Sequence, residues 1–181
     1  PLVTGVQTCA LPIWHSMGAW VAFELARELR SRALPLPRLL VVAASAPPHG
    51  ANDDAPMHRL PDAEFVAEVT RRYDGIPPAV RENQELLALV LPGLRADIEL
   101  LETYEYRERP PLETDMMALG GASDPTVTAA ELGEWRRHCT GKFSARMLPG
   151  GHFFLFESER PGMSPAGRMI VEQLQQRLKD A

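Results

Sequence analysis

The chain has 181 residues, a net charge of −5, 45% hydrophobic and 24% charged residues, 17 prolines and two cysteines. That composition excludes disordered, collagen-like and disulfide-stapled classes, and the acidity speaks against the basic face that a nucleic-acid binder needs. The length suits one domain, no apolar run reaches the ~20 residues of a membrane helix, and no charged-then-apolar leader opens the chain, so the expectation is a soluble cytoplasmic protein.

Residues 1–13 (PLVTGVQTCALPI) carry no strand–turn pattern of their own. Residues 3–13 resemble the in-frame translation of a sequencing-adapter oligonucleotide, and at the junction a final T followed by GG reads as a tryptophan codon. Residues 1–13 are therefore expected to be foreign to the fold, with Trp14 standing where the motif that follows calls for glycine. The competing reading makes residues 9–13 a genuine strand. Residues 14–181 are then the C-terminal part of one domain.

From 17 to 30 the spacing of Val21, Leu25 and Leu29, with Ala22 and Ala26 beside them, predicts one face of a helix, ended by Pro35 and Pro37. Residues 39–44 (LLVVAA) form a continuous apolar run, the pattern of a strand buried on both faces. A polar loop with Pro47-Pro48, Gly50 and Asn52-Asp53-Asp54 follows. Helices are predicted over 63–73, 82–91 and 94–106, with Asp74-Gly75-Ile76-Pro77-Pro78 and Pro92-Gly93 as breaks. Short apolar runs at 115–119 and 143–148 predict two more strands, a helix is expected over 129–138 between them, and a last helix over 166–178. Strands alternating with helices imply an α/β fold with a mostly parallel sheet.

His15-Ser16-Met17-Gly18 at the start of a helix matches the downstream part of a G-x-S-x-G nucleophile elbow. A serine there sits on a tight strand-to-helix turn, next to the positive end of the helix and its free N–H groups, of which the Met17 N–H is an oxyanion donor. The alternative role for Ser16 is a plain helix N-cap. In open parallel sheets functional groups gather beyond the carboxyl ends of the strands. Asp124 follows the predicted strand 115–119 through Gly120-Gly121-Ala122-Ser123, and His152 follows strand 143–148 through Pro149-Gly150-Gly151. Asp115 is a competing acid but lies at the opening end of its strand. The order Ser16, Asp124, His152 is that of the α/β-hydrolases, with His152 as base and Asp124 as its orienting acid. His15 reads as an elbow neighbour, His49 and His58 as residues in or beside polar loops, and His138 as the end of an exposed helix. No zinc-ligand spacing appears, and Cys9 and Cys139 suggest neither a disulfide nor a thiol catalyst. No metal or cofactor is expected.

Taken together, His15-Ser16-Met17-Gly18-Ala19, Ala22-Phe23-Glu24-Leu25-Ala26, Leu60-Pro61-Asp62, Leu91-Pro92-Gly93-Leu94-Arg95-Ala96-Asp97, Gly121-Ala122-Ser123-Asp124-Pro125 and Pro149-Gly150-Gly151-His152-Phe153-Phe154-Leu155 resemble the type II thioesterases. These are the stand-alone editing hydrolases of non-ribosomal peptide and polyketide synthesis, with an α/β-hydrolase fold. The resemblance implies Ser16, Asp124 and His152 as nucleophile, acid and base, and an acyl or peptidyl carrier protein as partner, its phosphopantetheine arm bearing the thioester. It also implies that the helical insert, about 56–109, is the lid over an acyl chamber, with Leu86, Leu87, Leu89, Leu91, Leu94, Ile98, Leu100 and Leu101 available to line it or to pack its own core. The family's first strands, and the loop giving a second oxyanion N–H, have no counterpart in this sequence, which leads us to expect impaired activity and poor solubility of the chain. Against the net charge, docking of an acidic carrier would need a local basic patch, for which Arg71-Arg72 and Arg136-Arg137 are the candidates beside an ordinary place on solvated helix faces. An esterase, amidase or integrated release domain of the same fold, and a non-catalytic interaction module, are the alternatives.

Overall fold

The computed structural model describes residues 13–50, 55–156, 164, 167–168, 170–172 and 175. Residues 1–12 of the adapter-like stretch, Cys9 among them, lie outside the described residues, as do 52–54 of the polar loop and much of the last predicted helix. In chain order the elements are β1 (Ile13–His15), α1 (Met17–Ser31), β2 (Leu39–Ala43), a 3₁₀ turn (Met57–Arg59), α2 (Asp62–Tyr73), α3 (Pro78–Arg81), α4 (Gln84–Glu102), β3 (Asp115–Gly121), α5 (Ala129–Glu134), a second 3₁₀ turn (Trp135–His138) and β4 (Phe143–Leu148). They divide into two compact units. One runs up to Pro47 and resumes at Pro110; the other is Pro48–Arg109.

The first unit holds a parallel sheet in the order β1-β2-β3-β4. Every residue of β2 is buried, as its unbroken apolar run requires. Its side chains divide with the period of two: Leu39, Val41 and Ala43 join Met117, Leu119, Leu148, Phe154 and Ile170 in one core cluster. Burying such a side chain fully contributes roughly 1.5–3 kcal/mol. The described residues between 167 and 175 are helical, in keeping with the predicted last helix. β1 covers the last adapter-like residue, the junction tryptophan and the residue before Ser16. Ile13, Trp14 and His15 pair with Val41, Val42 and Ala43.

α1 corrects the predicted helix face. Ala19, Ala22, Phe23 and Ala26 are buried, whereas Val21 and Leu25 are exposed. Small residues at i, i+3 and i+7 let the helix lie close to the sheet, and the larger aliphatic side chains fall on the other side. His138 departs from its expected exposure: it is buried, with its ring edge-on to Phe23 at 4.9 Å and to Trp135 at 5.6 Å. The predicted helix over 129–138 is α5 followed by the 3₁₀ turn. It opens on a capping box in which Thr128 and Glu131 satisfy each other's backbone N–H groups.

The helical unit has its own core of Met57, Phe65, Val69, Ile76, Leu91 and Ile98, with Leu87, Leu94 and Leu101 packed against it. Leu86, Leu89 and Leu100 are exposed. Pro92 does not end a helix as predicted; it lies inside the nineteen-residue α4. A proline there costs about 3 kcal/mol in hydrogen bonding and steric clash. Leu91 and Ile98, seven residues apart on one face, are both buried and offset that cost from either side of the break. The stretch 74–78 ends α2 at Tyr73 as expected, and its last residue, Pro78, also starts α3 at the first helical position, where the missing N–H is not needed.

Arg95 ties the two family-like motifs of this unit together. Its guanidinium donates to the carbonyl oxygens of His58 and Leu60 at 2.5 and 2.8 Å and to Asp62 Oδ1 at 2.6 Å, and it stacks 4.3 Å from the centre of the Phe65 ring. His58 lies in the 3₁₀ turn just beyond the polar loop, and its nearly buried imidazole meets Glu102 at 2.5 Å. Burial would raise the Glu102 carboxyl pKa, but the N–H groups of Met57 and His58 and the His58 ring outweigh it and hold it below the usual range. Among the described residues no helix is long and apolar enough to cross a membrane.

Replacing Arg95 with methionine keeps the aliphatic stem and removes every donor. We expect a loss of about 2–4 kcal/mol in chemical denaturation, since two carbonyl oxygens lose their charged partner. An unchanged midpoint would show that this bracing is idle.

Candidate active site

β1 ends and α1 begins at a single residue, Ser16, whose backbone sits at φ 54°, ψ −125°. A non-glycine residue in that region stores about 1–3 kcal/mol of strain. It is held there by main-chain bonds, Ser16 N–H to the Ala43 carbonyl at 2.8 Å and Ala19 N–H to the Ser16 carbonyl at 2.9 Å. The Ser16 side chain does not cap the helix. Its Oγ lies 2.9 Å from His152 Nε2. The Met17 N–H is at the first position of α1, where no intrahelical carbonyl reaches it. Trp14, standing where the motif calls for glycine, makes no clash with α1: it is half-buried, and even a Cβ built on Gly18 would stand 3.5 Å from its ring.

Asp124 and His152 come from the loops that leave β3 and β4. Those loops are laced together by Ala122 N–H to the Leu148 carbonyl at 2.7 Å and Ser123 N–H to the Gly150 carbonyl at 2.9 Å. Gly121 makes this possible, because a Cβ there would overlap the carbonyl oxygens of Gly150 and Gly151. Gly150 supplies the turn with φ 117°, a value that favours glycine. With the loops so joined, His152 Nδ1 is 2.9 Å from Asp124 Oδ2, and both side chains are almost wholly buried. Asp115, the competing acid, begins β3 and accepts the Lys142 N–H at 2.8 Å, at the opposite end of the sheet.

Thr126 was not anticipated from the sequence. Its N–H and its hydroxyl both donate to Asp124 Oδ1, at 2.8 and 2.7 Å, and the hydroxyl oxygen lies 3.1 Å from His152 Nδ1. The local signal was there in Asp124-Pro125-Thr126, since an aspartate that accepts the N–H two residues on makes an Asx turn. Burial would push the Asp124 carboxyl up. The hydrogen bonds from His152 and Thr126 outweigh it and hold the pKa below the usual aspartate range. An ionised carboxylate only accepts, so His152 Nδ1 carries the proton and Nε2 is left to accept from the Ser16 hydroxyl.

Neither arginine pair forms an unopposed basic patch. Arg71 and Arg72 both bind Glu68, at 2.6 and 2.5 Å, and hold its pKa down to about 2. Arg137 pairs with Glu134, and Arg136 donates to the carbonyl oxygens of Cys139 and Gly141. Cys139 is buried, which raises its thiol pKa and keeps it unreactive. Among the described residues no group of three or more histidine, cysteine or acidic side chains could hold a metal ion.

A thioesterase-domain family model matches residues 14–164. The thioesterase PikA5 of Streptomyces venezuelae is 44% identical over 141 residues, which cover 78% of this chain and 50% of PikA5. The solved structure of RedJ, a thioesterase from the prodiginine biosynthetic pathway of Streptomyces coelicolor, superposes with a TM-score of 0.77 at 37% identity, over 89% of this chain and 61% of RedJ. YbtT, a type II thioesterase from the yersiniabactin non-ribosomal peptide and polyketide pathway, superposes with a TM-score of 0.77 at 33% identity, over 95% of this chain and 67% of YbtT. The chain spans about half the length of the curated relatives it matches. These neighbours share the α/β-hydrolase type of fold expected from the sequence.

Two outcomes check this geometry. Gly121→Ala is expected to cost about 3 kcal/mol or more, whereas Gly133→Ala, with open space around it, leaves stability equal or higher by up to about 1 kcal/mol; equal effects would contradict the close approach. The depressed Asp124 pKa contributes stability that is present above about pH 4 and lost as pH falls through the folded-state value. Denaturation of wild type and Asp124→Asn from pH 5 to pH 2 should therefore show the wild-type advantage shrinking on acidification.

Proposed function

The chain belongs to the thioesterase-domain family, and from that membership we propose that the protein is a serine thioesterase of peptide or polyketide biosynthesis, clearing acyl groups from the phosphopantetheine arm of carrier proteins. The observation that carries the reading is the unbroken hydrogen-bonded line from Ser16 Oγ through His152 to Asp124, with 2.9 Å at each step. It begins at a strained turn that opens a helix.

In the proposed reaction Ser16 Oγ attacks the thioester carbonyl carbon while His152 Nε2 takes its proton. The negative charge that forms on the carbonyl oxygen is met by the Met17 N–H and the positive end of α1. Asp124 stabilises the imidazolium, and Thr126 fixes the carboxylate against it. Collapse breaks the carbon–sulfur bond, and the thiol leaves with the proton from His152. A water then gives its proton to His152 and attacks the acyl-serine, the carboxylic acid departs, and Ser16 recovers its hydrogen. A thiolate leaves readily, so selection falls on the acyl group and on carrier docking rather than on leaving-group activation. The carrier-bearing synthases this role serves make the cytoplasm the proposed location. Residues 56–109, which follow β2 in the chain, are proposed as the family's lid insert.

The test is hydrolysis of short acyl-phosphopantetheine thioesters by wild type and Ser16→Ala. Turnover should fall on the order of 10⁴–10⁶-fold, and an unchanged rate would end the assignment. A thioester on the phosphopantetheine arm of a carrier protein should be turned over faster than the same acyl group on free pantetheine. Equal rates would remove the carrier protein from the reading.

A further inference from the structure

His15 touches the reacting residues without belonging to the line they form. It is the last residue of β1, directly before Ser16 in the chain. Its Nε2 lies 2.7 Å from the main-chain carbonyl oxygen of His152. A carbonyl only accepts, so Nε2 carries a hydrogen and donates it. The His15 ring is enclosed by aromatic neighbours: stacked on Phe153 at 5.3 Å, edge-on to His152 at 5.0 Å and to Phe156 at 5.5 Å. Adjacent residues of one short segment thus reach the same partner at two points, Ser16 at the imidazole and His15 at the backbone.

We propose that His15 is a positioning residue for the base: its Nε2–H holds the main chain at His152 so that one imidazole reaches Ser16 and Asp124 together. The proposal rests on the reading of Ser16 and His152 as nucleophile and base. The backbone ahead of His152 is set by the lacing of Ala122 and Ser123 to Leu148 and Gly150. The glycines at 150 and 151 give that stretch little resistance to rotation on their own, so a grip on the far side of His152 decides where its side chain points. His15 can do this without adding charge. Burial pushes its pKa below the usual histidine range, against the opposing bond to the His152 carbonyl, with the His152 ring adding to the lowering and the Asp124 carboxylate opposing it. A neutral ring next to His152 does not oppose the imidazolium that forms during acyl transfer.

Three variants and one wild-type measurement test this. His15→Phe keeps the aromatic packing and donates nothing; His15→Gln keeps an amide donor at similar reach. Reaction of Ser16 with a fluorophosphonate should slow about 10- to 100-fold in His15→Phe, the scale expected when a reacting group is misplaced by about 1 Å, with the melting temperature unchanged. His15→Gln should recover to within about threefold. Thioester kinetics should show the loss in kcat with KM preserved. A His15→Phe labelling rate equal to wild type, or no recovery in His15→Gln, overturns the proposal. Ser16→Ala, run in parallel, separates the two claims: abolished labelling there alongside a wild-type rate in His15→Phe sinks only the positioning role, whereas retained labelling sinks the nucleophile and the positioning role together. In wild type, nitrogen-15 shifts of His15 should report the Nε2–H tautomer, and the Nδ1–H tautomer would overturn the proposal irrespective of how any variant folds.

Discussion

The close approach of two backbones is the constraint on which the rest of the site depends. Gly121, at the end of β3, lies against the carbonyl oxygens of Gly150 and Gly151 beyond β4 with no room for a side chain. Only because these loops touch can two main-chain hydrogen bonds lace them, and only because they are laced do Asp124 and His152 meet in a nearly dry environment. Parallel strands deliver both residues to the same end of the sheet, and the missing Cβ at Gly121 lets their two loops come into contact.

The second constraint is the strain at Ser16. Its positive φ is unfavourable by itself, and the price is met by parallel pairing of β1 with β2 and by the helix that starts immediately after it. The turn lifts the hydroxyl toward His152 instead of letting it fold back onto the helix N-terminus as a cap. Strain, helix terminus and hydroxyl therefore act on one point, which is what the proposed acyl transfer would ask of a nucleophile and its oxyanion donor.

Much of this was readable from residues alone. β4 spans 143–148 as expected, and β2 and α2 differ from expectation by one residue, because unbroken apolar runs and a proline-started helix are strong local signals. What was missed depends on contacts distant in sequence. Three-residue β1 is too short to show periodicity and gains its identity from pairing with β2. α4 runs through Pro92 because burial of Leu91 and Ile98 outweighs a local preference for breaking. In α1 the spacing of Val21, Leu25 and Leu29 points to one face, but close packing on the sheet selects the face of the smaller alanines. Ser16, Asp124 and His152 stand out by type, order and position after strands, and the structure brings their side chains together. The contacts of His15 and Thr126 are not legible in this way, because they form only when the loop carrying His152, 137 and 26 residues away, comes to meet them.

The central claim is that acyl transfer passes through Ser16. Its most direct test is a single-turnover reaction with an acyl-phosphopantetheine thioester, quenched in acid and read by peptide mass spectrometry. The account predicts one acyl group per chain on the peptide containing Ser16, formed as one equivalent of thiol is released. Hydrolysis proceeding with the acyl mass on another residue, or with no covalent adduct at any quench time while thiol is still released, would contradict it.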